Sequence, residues 1–267
     1  MNHSWNLREQ AIRIATAITA LAFVALTVYA KMGYYLPGEQ DLLGLIVSHR
    51  ILALNQPALI LSMVGSINII LPLWALVMLL LLWRRSGAAL FSLLPVPLAY
   101  LLYSLVKTLV ARPEPTPPLF PRLYDLSLGY YFEGLARQQL QHLPAQGVSL
   151  PAVTPPVTAQ VVTRIMESGY VSGHALLALL FYGTLAWWLA KSASPNIMRA
   201  ASCLACGLVA LLVGVARLYM GVHFPSDVVG AWLLAAILLV LDIKVIPALG
   251  FRLMGRIRGG WALVQSD

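Results

Sequence analysis

The sequence is poor in charged residues and in cysteine. Charged residues make up 10% of its 267 residues and hydrophobic residues 60%, and the mean hydropathy is +0.79. A soluble domain has about 25% charged residues, so this composition excludes a water-soluble globular protein and predicts a surface that faces lipid. The two cysteines, Cys203 and Cys206, lie one helical turn apart without neighbouring metal ligands. We interpret them as packing residues rather than as a redox or metal site.

Acidic residues are scarcer than basic residues. Ten acidic against 18 basic residues give a formal net charge of +8 and a pI of about 9.7. The basic residues collect near the ends of long apolar segments, where they anchor helices at the membrane surface. The positive charge therefore does not indicate a nucleic-acid partner.

Long apolar runs account for most of the chain. A helix needs about 20 mostly apolar residues to cross the hydrocarbon of a bilayer. The segments that meet this requirement are 12–30, 57–83, 88–110, 171–190, 200–220 and 227–246. We therefore predict an all-α fold, in which a single domain over residues 1–267 forms a six-helix transmembrane bundle.

The first apolar segment follows Arg8 and Arg13, as a signal peptide would. Its apolar stretch is longer than that of a usual signal peptide and no small-x-small cleavage site follows, which favours an uncleaved span. The short loops 83–88 and 191–199 each carry two basic residues and no acidic residue. Because short positive loops stay in the cytoplasm, both termini are predicted to be cytoplasmic.

Two segments on the opposite face interrupt the apolar runs. Within the first, residues 41–50 predict either an interfacial helix or an irregular loop. The second, residues 113–170, is rich in proline, glutamine and aromatic residues, and its prolines argue against a regular sheet. We predict an interfacial or periplasmic helical insertion here, with one or two short helices in residues 124–143.

Ionisable residues near the ends of apolar spans are costly and are therefore candidates for function. Lys107 and Arg112 close the third segment, and alone they are typical of a snorkelling lysine and a polar helix exit. Ser172, Gly173 and His174 open the fourth. A serine can cap this helix start, whose free N–H groups and dipole attract anions, and a glycine lets a ligand approach the backbone. Alone, this cluster is equally typical of a serine cap beside an interfacial histidine.

The third cluster, Arg217, His223 and Asp227, joins the fifth and sixth segments. A carboxylate four residues after a histidine can accept its ring N–H, which fixes the tautomer and makes the other nitrogen more nucleophilic. The alternative is an interfacial capping network with Asp227 as the N-cap. All three clusters fall on one membrane face, and together they supply cations, helix-start amides, a nucleophile and an acid. That set suits a phosphoryl group.

The order and spacing of these residues resemble those of a known family. His223 follows Arg217 after five residues and Asp227 follows after three more, and Ser-Gly-His at 172–174 and the Lys107 cluster precede them. This pattern resembles the type-2 phosphatidic acid phosphatase superfamily. That family includes bacterial lipid phosphatases that act on undecaprenyl diphosphate and phosphatidylglycerophosphate.

The resemblance implies a role for each position. His223 would be the nucleophile that forms a phosphohistidine, Asp227 would orient it, and His174 would be the general acid and base. The implied phosphate ligands are Lys107, Arg112, Ser172, Gly173 and Arg217. The resemblance implies neither a metal nor another cofactor.

The first motif departs from the family pattern. The family has an arginine seven residues after the lysine, where this chain has Glu114. A carboxylate would repel a phosphate oxyanion, and Arg112, two residues earlier and also followed by proline, is the predicted substitute. Val171 in place of a proline and Ala216 in place of a serine are milder departures.

The function implied by the resemblance is hydrolysis of a lipid-linked phosphate or diphosphate at the periplasmic face of the bacterial inner membrane. Undecaprenyl diphosphate and phosphatidylglycerophosphate are the expected kinds of substrate. One alternative is a lipid A phosphatase or phosphotransferase with the same histidine chemistry, and another is a non-catalytic membrane scaffold or transporter. The expected partners are the lipid substrate and the bilayer, and no protein partner is predicted.

Overall fold

The protein is helical, as predicted. The computed structural model describes residues 7–83, 95–115, 168–190 and 195–245. Within these ranges the chain forms eight α-helices and no strand beyond an isolated bridge. The helices are α1 Leu7–Lys31, α2 Glu39–Ser48, α3 Leu52–Val64, α4 Ile67–Trp83, α5 Pro95–Val110, α6 Gly173–Ala190, α7 Asn196–Tyr219 and α8 Pro225–Val240, and a π-helical turn, Leu241–Val245, follows α8.

Four of the described helices are long and apolar enough to cross a membrane: α1, α6, α7, and α8 with its π-helical turn. Each agrees with a predicted segment to within a few residues at either end. α5 ends at Val110, as predicted for the third segment, whose first residues, 88–94, lie outside the described residues. The chain is therefore a multi-pass membrane protein.

The second predicted segment, 57–83, is not one helix. The chain divides it between α3 and α4, with a break at Gly65 and Ser66. Gly65 packs directly on the side chain of Val213 in α7, so that a side chain at this position would collide with it. Glycine and serine are also weaker helix formers than the leucines around them. The prediction of one continuous span here is therefore wrong.

The preceding segment also differs from a simple loop. The helix considered for residues 41–50 is present as α2, and α3 already begins at Leu52. The axes of α2 and α3 are bent by 120°. The described residues thus contain four candidate spans, or five if this bent pair is one broken span, and not the six expected. Most of the predicted insertion, residues 116–167, lies outside the described residues.

α6 lies at the centre of the bundle and packs against α4, α5, α7 and α8. Its side chains Leu176 and Leu180 are fully buried, as are Val228 and Ala235 of α8. Between membrane helices the driving force is close packing, which small residues at the crossings permit. Gly214 of α7 is such a residue, because it lies against α8.

The ends of three helices are set by local chemistry. α5 stops at Val110, because Ala111 adopts a left-handed conformation with φ 52° and Pro113 cannot continue a helix. α7 stops at Tyr219, and Gly221 turns the chain with φ 72°. α8 then starts at Pro225, whose fixed φ suits the first helical position.

We expect Gly214→Ala to destabilise the bundle. A Cβ at Gly214 would lie 2.5 Å from the Trp232 ring and 2.8 Å from Val228 Cγ1, so α7 and α8 would have to separate. Such overpacking costs about 1–3 kcal/mol, which should lower the melting temperature in detergent by roughly 2–10 °C. The control is Gly207→Ala in the same helix, where nothing lies within 4 Å of the added atom. Equal melting temperatures for the two variants would contradict this packing.

Candidate active site

The three predicted clusters come together in the structure. They lie around the C-terminal end of α5, around the N-terminal end of α6, and on both sides of the turn between α7 and α8. Backbone hydrogen bonds join these segments: Gly169 N–H donates to Arg112 O at 2.7 Å, and Ser172 N–H donates to Asp227 O at 3.1 Å. The bridge between Pro113 and Ser168 adds to the same junction. The backbone itself therefore holds the clusters in one site.

The site is unusual in the number of polar groups that it buries. Six polar or charged side chains of the site are each at most 4% exposed: Lys107, Arg112, Ser172, Arg217, His223 and Asp227. Burying a charge is costly unless it is paired or used by a ligand. A fold that buries three cations and a carboxylate in one place is therefore arranged for a charged ligand or for chemistry.

His223 lies in the turn before α8, against the carboxylate of Asp227. Its Nδ1 is 3.5 Å from Asp227 Oδ2, and the same oxygen accepts the N–H of Phe224 at 2.8 Å. The carboxylate is thus fixed by the backbone at the start of α8 and faces the imidazole four residues earlier. This geometry favours a proton on Nδ1, which places the lone pair of the neutral imidazole on Nε2.

His174 occupies the first turn of α6. Its Nε2 is shielded from solvent, and Arg217, His223 and Lys107 all lie within electrostatic range of its ring. The two histidines therefore lie in the same buried polar region. The two cations near the His174 ring make its surroundings attractive to an anion.

Arg217 is held by a residue that the sequence did not single out. Its Nη1 donates a 2.8 Å hydrogen bond to Oγ of Ser62 in α3, and both side chains are buried. A serine within an apolar helix is a weak signal by itself, since such hydroxyls commonly bond to their own helix. Ser62 orients one face of the guanidinium and connects α3 to the site.

Lys107 lies one turn before the end of α5. Its Nζ is 5.1 Å from the centre of the Tyr103 ring, an arrangement that stabilises a buried ammonium. The same ring packs on Gly173, where a Cβ would come within 2.8 Å of it. The glycine is therefore required by the contact between α5 and α6.

Ser172 occupies the N-cap position of α6, and its carbonyl accepts the N–H of Leu176 at 3.0 Å. Its position confirms the predicted helix start. Its buried Oγ has no hydrogen-bond partner among the described residues. A buried hydroxyl without a partner is rare in folded proteins, and here it lies at a helix N-terminus that favours anions.

Arg112 lies on the far side of Asp227 from the histidine. Its Nη2 is 3.4 Å from Asp227 Oδ1 and 3.3 Å from Oε1 of Glu39 in α2. Its guanidinium also stacks on the rings of Tyr35 and Phe224, at 4.7 and 5.0 Å. These contacts are with carboxylates and aromatic rings, so its predicted role as a phosphate ligand stays a prediction. Glu39 was not foreseen.

Glu114, at the departing motif position, is partly exposed. It lines a cavity of about 660 Å³ between α2 and the Pro113–Pro115 segment, together with Asp41, Ser48 and Phe224. The carboxylate therefore stands at the side of the site that faces α2, next to Phe224 and hence one residue from His223.

Tyr170 connects the site to α1. Its hydroxyl shares a 3.0 Å hydrogen bond with Thr27, and its ring packs on Gly230 of α8. Burial raises the pKa of Tyr170 to about 12. The phenol therefore stays neutral at physiological pH and adds no negative charge beside Asp227.

Among the described residues, no group of three or more histidine, cysteine, aspartate or glutamate side chains is arranged to hold a metal ion. Cys203 donates its thiol to Ala186 O at 3.2 Å, and Cys206 is a free thiol in the same helix. The contact of Cys203 with the neighbouring helix agrees with its interpretation as a packing residue.

Comparison with known proteins identifies the family of the chain. The family model of the PAP2 superfamily matches residues 85–250. Phosphatidylglycerophosphatase B of Bacillus subtilis (strain 168) is 35% identical over 74 residues, which are 27% of this chain and 36% of that relative. The crystal structure of a transmembrane PAP2 type phosphatidylglycerolphosphate phosphatase from Bacillus subtilis has a TM-score of 0.62 at 20% identity, covering 85% of this chain and 94% of the other. That structural likeness shows a shared fold.

The hydrogen bond between Ser62 and Arg217 gives a test of the site. We expect Ser62→Ala to lower kcat/KM for release of phosphate from a lipid phosphate roughly tenfold. A bond to a charged group contributes about 1.5–3 kcal/mol, and a factor of ten in rate corresponds to about 1.4 kcal/mol. The control is Ser104→Ala, because the Ser104 hydroxyl donates to Tyr100 O within its own helix, α5. Equal kinetics for both variants would mean that Ser62 does not support the arginine.

Proposed function

Because the chain belongs to the PAP2 superfamily, we propose that it hydrolyses a lipid-linked phosphate or diphosphate through a phosphohistidine intermediate. The observation that carries this proposal is the buried pair of His223 and Asp227 among the cations of the site. The pair provides a nucleophile whose tautomer is set by a carboxylate, and the cations provide an environment in which phosphate oxygens are stabilised.

In the first step, Nε2 of His223 attacks phosphorus. A phosphorus–nitrogen bond forms while the bond from phosphorus to the leaving oxygen breaks, and His174 donates a proton to that oxygen. Asp227 balances the positive charge that develops on the imidazole of His223. The released product is the lipid alcohol, or the lipid monophosphate if the substrate is a diphosphate.

In the second step, the neutral His174 accepts a proton from water as the water oxygen attacks phosphorus. The phosphorus–nitrogen bond breaks, inorganic phosphate leaves, and both histidines return to their starting states. His174 is therefore the general acid in the first step and the general base in the second, because the two steps move a proton in opposite directions.

Phosphate would be held by Lys107, Arg217, the Ser172 hydroxyl and the backbone N–H of Gly173. Two buried cations and a helix start with a buried hydroxyl support this assignment. Arg112 remains a candidate from the family pattern, although its Nη2 is near two carboxylates.

The membrane location follows from the same proposal. We place the site at the periplasmic face of the bacterial inner membrane, with both termini in the cytoplasm. The basic short loops at 83–88 and 191–199 support this orientation. A lipid substrate would reach the site from the bilayer, in which the apolar helices lie.

The relative in Bacillus subtilis makes phosphatidylglycerophosphate the first substrate to test. The chain spans about a third of that relative in the alignment, so the assay should also include undecaprenyl diphosphate, phosphatidic acid and lipid A. Release of inorganic phosphate from the purified protein measures hydrolysis. Adding an acceptor lipid would distinguish hydrolysis from phosphoryl transfer.

We expect His223→Ala to abolish phosphate release, because it removes the nucleophile. Labelled phosphate trapped on the protein after rapid quenching should disappear in the same variant. The control is His49→Ala, since His49 is exposed at the end of α2 and its Nδ1 contacts Ser48 and Leu45 of its own helix. Turnover by His223→Ala at a rate near that of the wild type would exclude the phosphohistidine mechanism.

We expect Glu114→Arg to lower the KM for a lipid phosphate, because it removes a carboxylate that repels the anion and adds a cation. The value of kcat should change little, since neither histidine is touched. Glu9→Arg in the first turn of α1 changes the net charge equally at a distant position and is the control. A loss of activity in Glu114→Arg alone would instead give the glutamate a task of its own in the reaction.

A further inference from the structure

We infer that Arg112 and Glu39 are positioning residues, which hold the carboxylate of Asp227 against His223. This inference rests on the proposed function, and it gives Arg112 a different task from the phosphate ligand predicted by the family pattern. It also assigns a role in catalysis to a glutamate of α2, outside the three motifs of the sequence.

The two oxygens of Asp227 face different partners. Oδ2 accepts the N–H of Phe224 and lies 3.5 Å from Nδ1 of His223, whereas Oδ1 lies 3.4 Å from Nη2 of Arg112. The carboxylate therefore bridges the imidazole and the guanidinium. An arginine on the far oxygen cannot move away without releasing one end of this bridge.

Arg112 is itself fixed on several sides. The rings of Tyr35 and Phe224 lie 4.7 and 5.0 Å from its guanidinium carbon, and the residue is 2% exposed. A guanidinium stacked on aromatic rings keeps its charge and loses little further entropy when it forms a hydrogen bond. Such a group is suited to holding a neighbour in one orientation.

Glu39 connects this arginine to the backbone that carries Asp227. Its Oε1 lies 3.3 Å from Arg112 Nη2 and accepts the N–H of Leu36 at 3.0 Å. Its Oε2 accepts the N–H of Ser226, the residue before Asp227, at 2.9 Å. One carboxylate thus fixes both the guanidinium and the first turn of α8.

The charge of Arg112 is needed beside Asp227, and Glu39 fixes the position of that charge. Asp227 is fully buried, and a buried carboxylate stays ionised only beside a cation. The cation in contact with Oδ1 is Arg112. Glu39, only 3% exposed, is a second carboxylate beside the same guanidinium nitrogen and holds that nitrogen from the side of α2. The three side chains form a buried row in which Glu39 supports Arg112 and Arg112 supports Asp227.

The first experiment separates positioning from phosphate binding. Arg112→Gln should lower kcat about 10- to 100-fold, the usual loss when a supporting partner of a reactive group is removed, and should leave KM within about threefold. The inhibition constant of inorganic phosphate should also be unchanged. Arg217→Gln is the comparison, because loss of a proposed phosphate ligand should raise both the KM and the inhibition constant of inorganic phosphate. A rise of both constants in Arg112→Gln would overturn the inference.

The conservative variant Arg112→Lys should recover part of kcat, because it keeps the charge beside Oδ1 but loses the planar contact with the aromatic rings. A kcat equal to that of Arg112→Gln would contradict a role for the charge. If Arg112→Gln does not fold, Arg112→Lys and Glu39→Gln still give the separation of kcat from KM.

The second experiment tests whether Glu39 acts through Arg112. Glu39→Gln should lower kcat several-fold at constant KM, and the double variant Glu39→Gln/Arg112→Gln should be no slower than Arg112→Gln alone. If the reduction of kcat in the double variant is instead the product of the two single reductions, Glu39 does not act through Arg112. The matched control is Glu9→Gln in the first turn of α1, where the side chain is exposed and kcat should not change.

The wild-type protein distinguishes the two proposals. If it releases phosphate from a lipid but the Glu39 and Arg112 variants keep its kcat, the inference fails and the proposed function stands. If it releases phosphate from none of the lipids tested, both fail. The melting temperature of each variant, with and without inorganic phosphate, shows whether the fold and the anion site remain intact.

Discussion

The structure depends on one buried carboxylate, Asp227. It accepts a backbone N–H at the start of α8, its backbone carbonyl accepts the N–H of Ser172 before α6, and its two side-chain oxygens face His223 and Arg112. Few single residues connect a helix cap, an interhelical junction and a reactive side chain. Because the residue is fully buried, each of these contacts is made in a medium of low dielectric, where an ion pair is strong and an unpaired ion is very costly.

Around this carboxylate, hydrogen bonds between main-chain atoms hold the segments of the site together. The end of α5, the start of α6 and the turn before α8 are joined by hydrogen bonds between main-chain atoms. Side chains with many rotamers, such as lysine and arginine, therefore extend from segments whose backbone is held in place. This division suits a site for a highly charged group, since reorganisation of the cations during the reaction would cost part of the stabilisation they provide.

The residues of the site could be predicted from the sequence because charged and ionisable side chains are rare at the ends of apolar helices. A lysine, an arginine and a histidine at the ends of apolar helices carry a cost that favours a functional explanation. Glu39 and Ser62 gave no such signal. Glu39 lies in a segment between two apolar runs, where a charged residue is not out of place, and Ser62 lies in a helix where a hydroxyl can bond to its own backbone. The break at Gly65 was missed because hydropathy records apolar length, whereas the break depends on contact with Val213 in a distant helix.

The bent pair of α2 and α3 supports both arginines of the site. Glu39 on the first helix binds Arg112, and Ser62 on the second binds Arg217. Because the two helices are joined directly at a sharp bend, a constraint on the position of one helix also constrains the other. A change of the angle at this bend would therefore displace the partners of both arginines together, which makes the bend a mechanical connection between two buried cations.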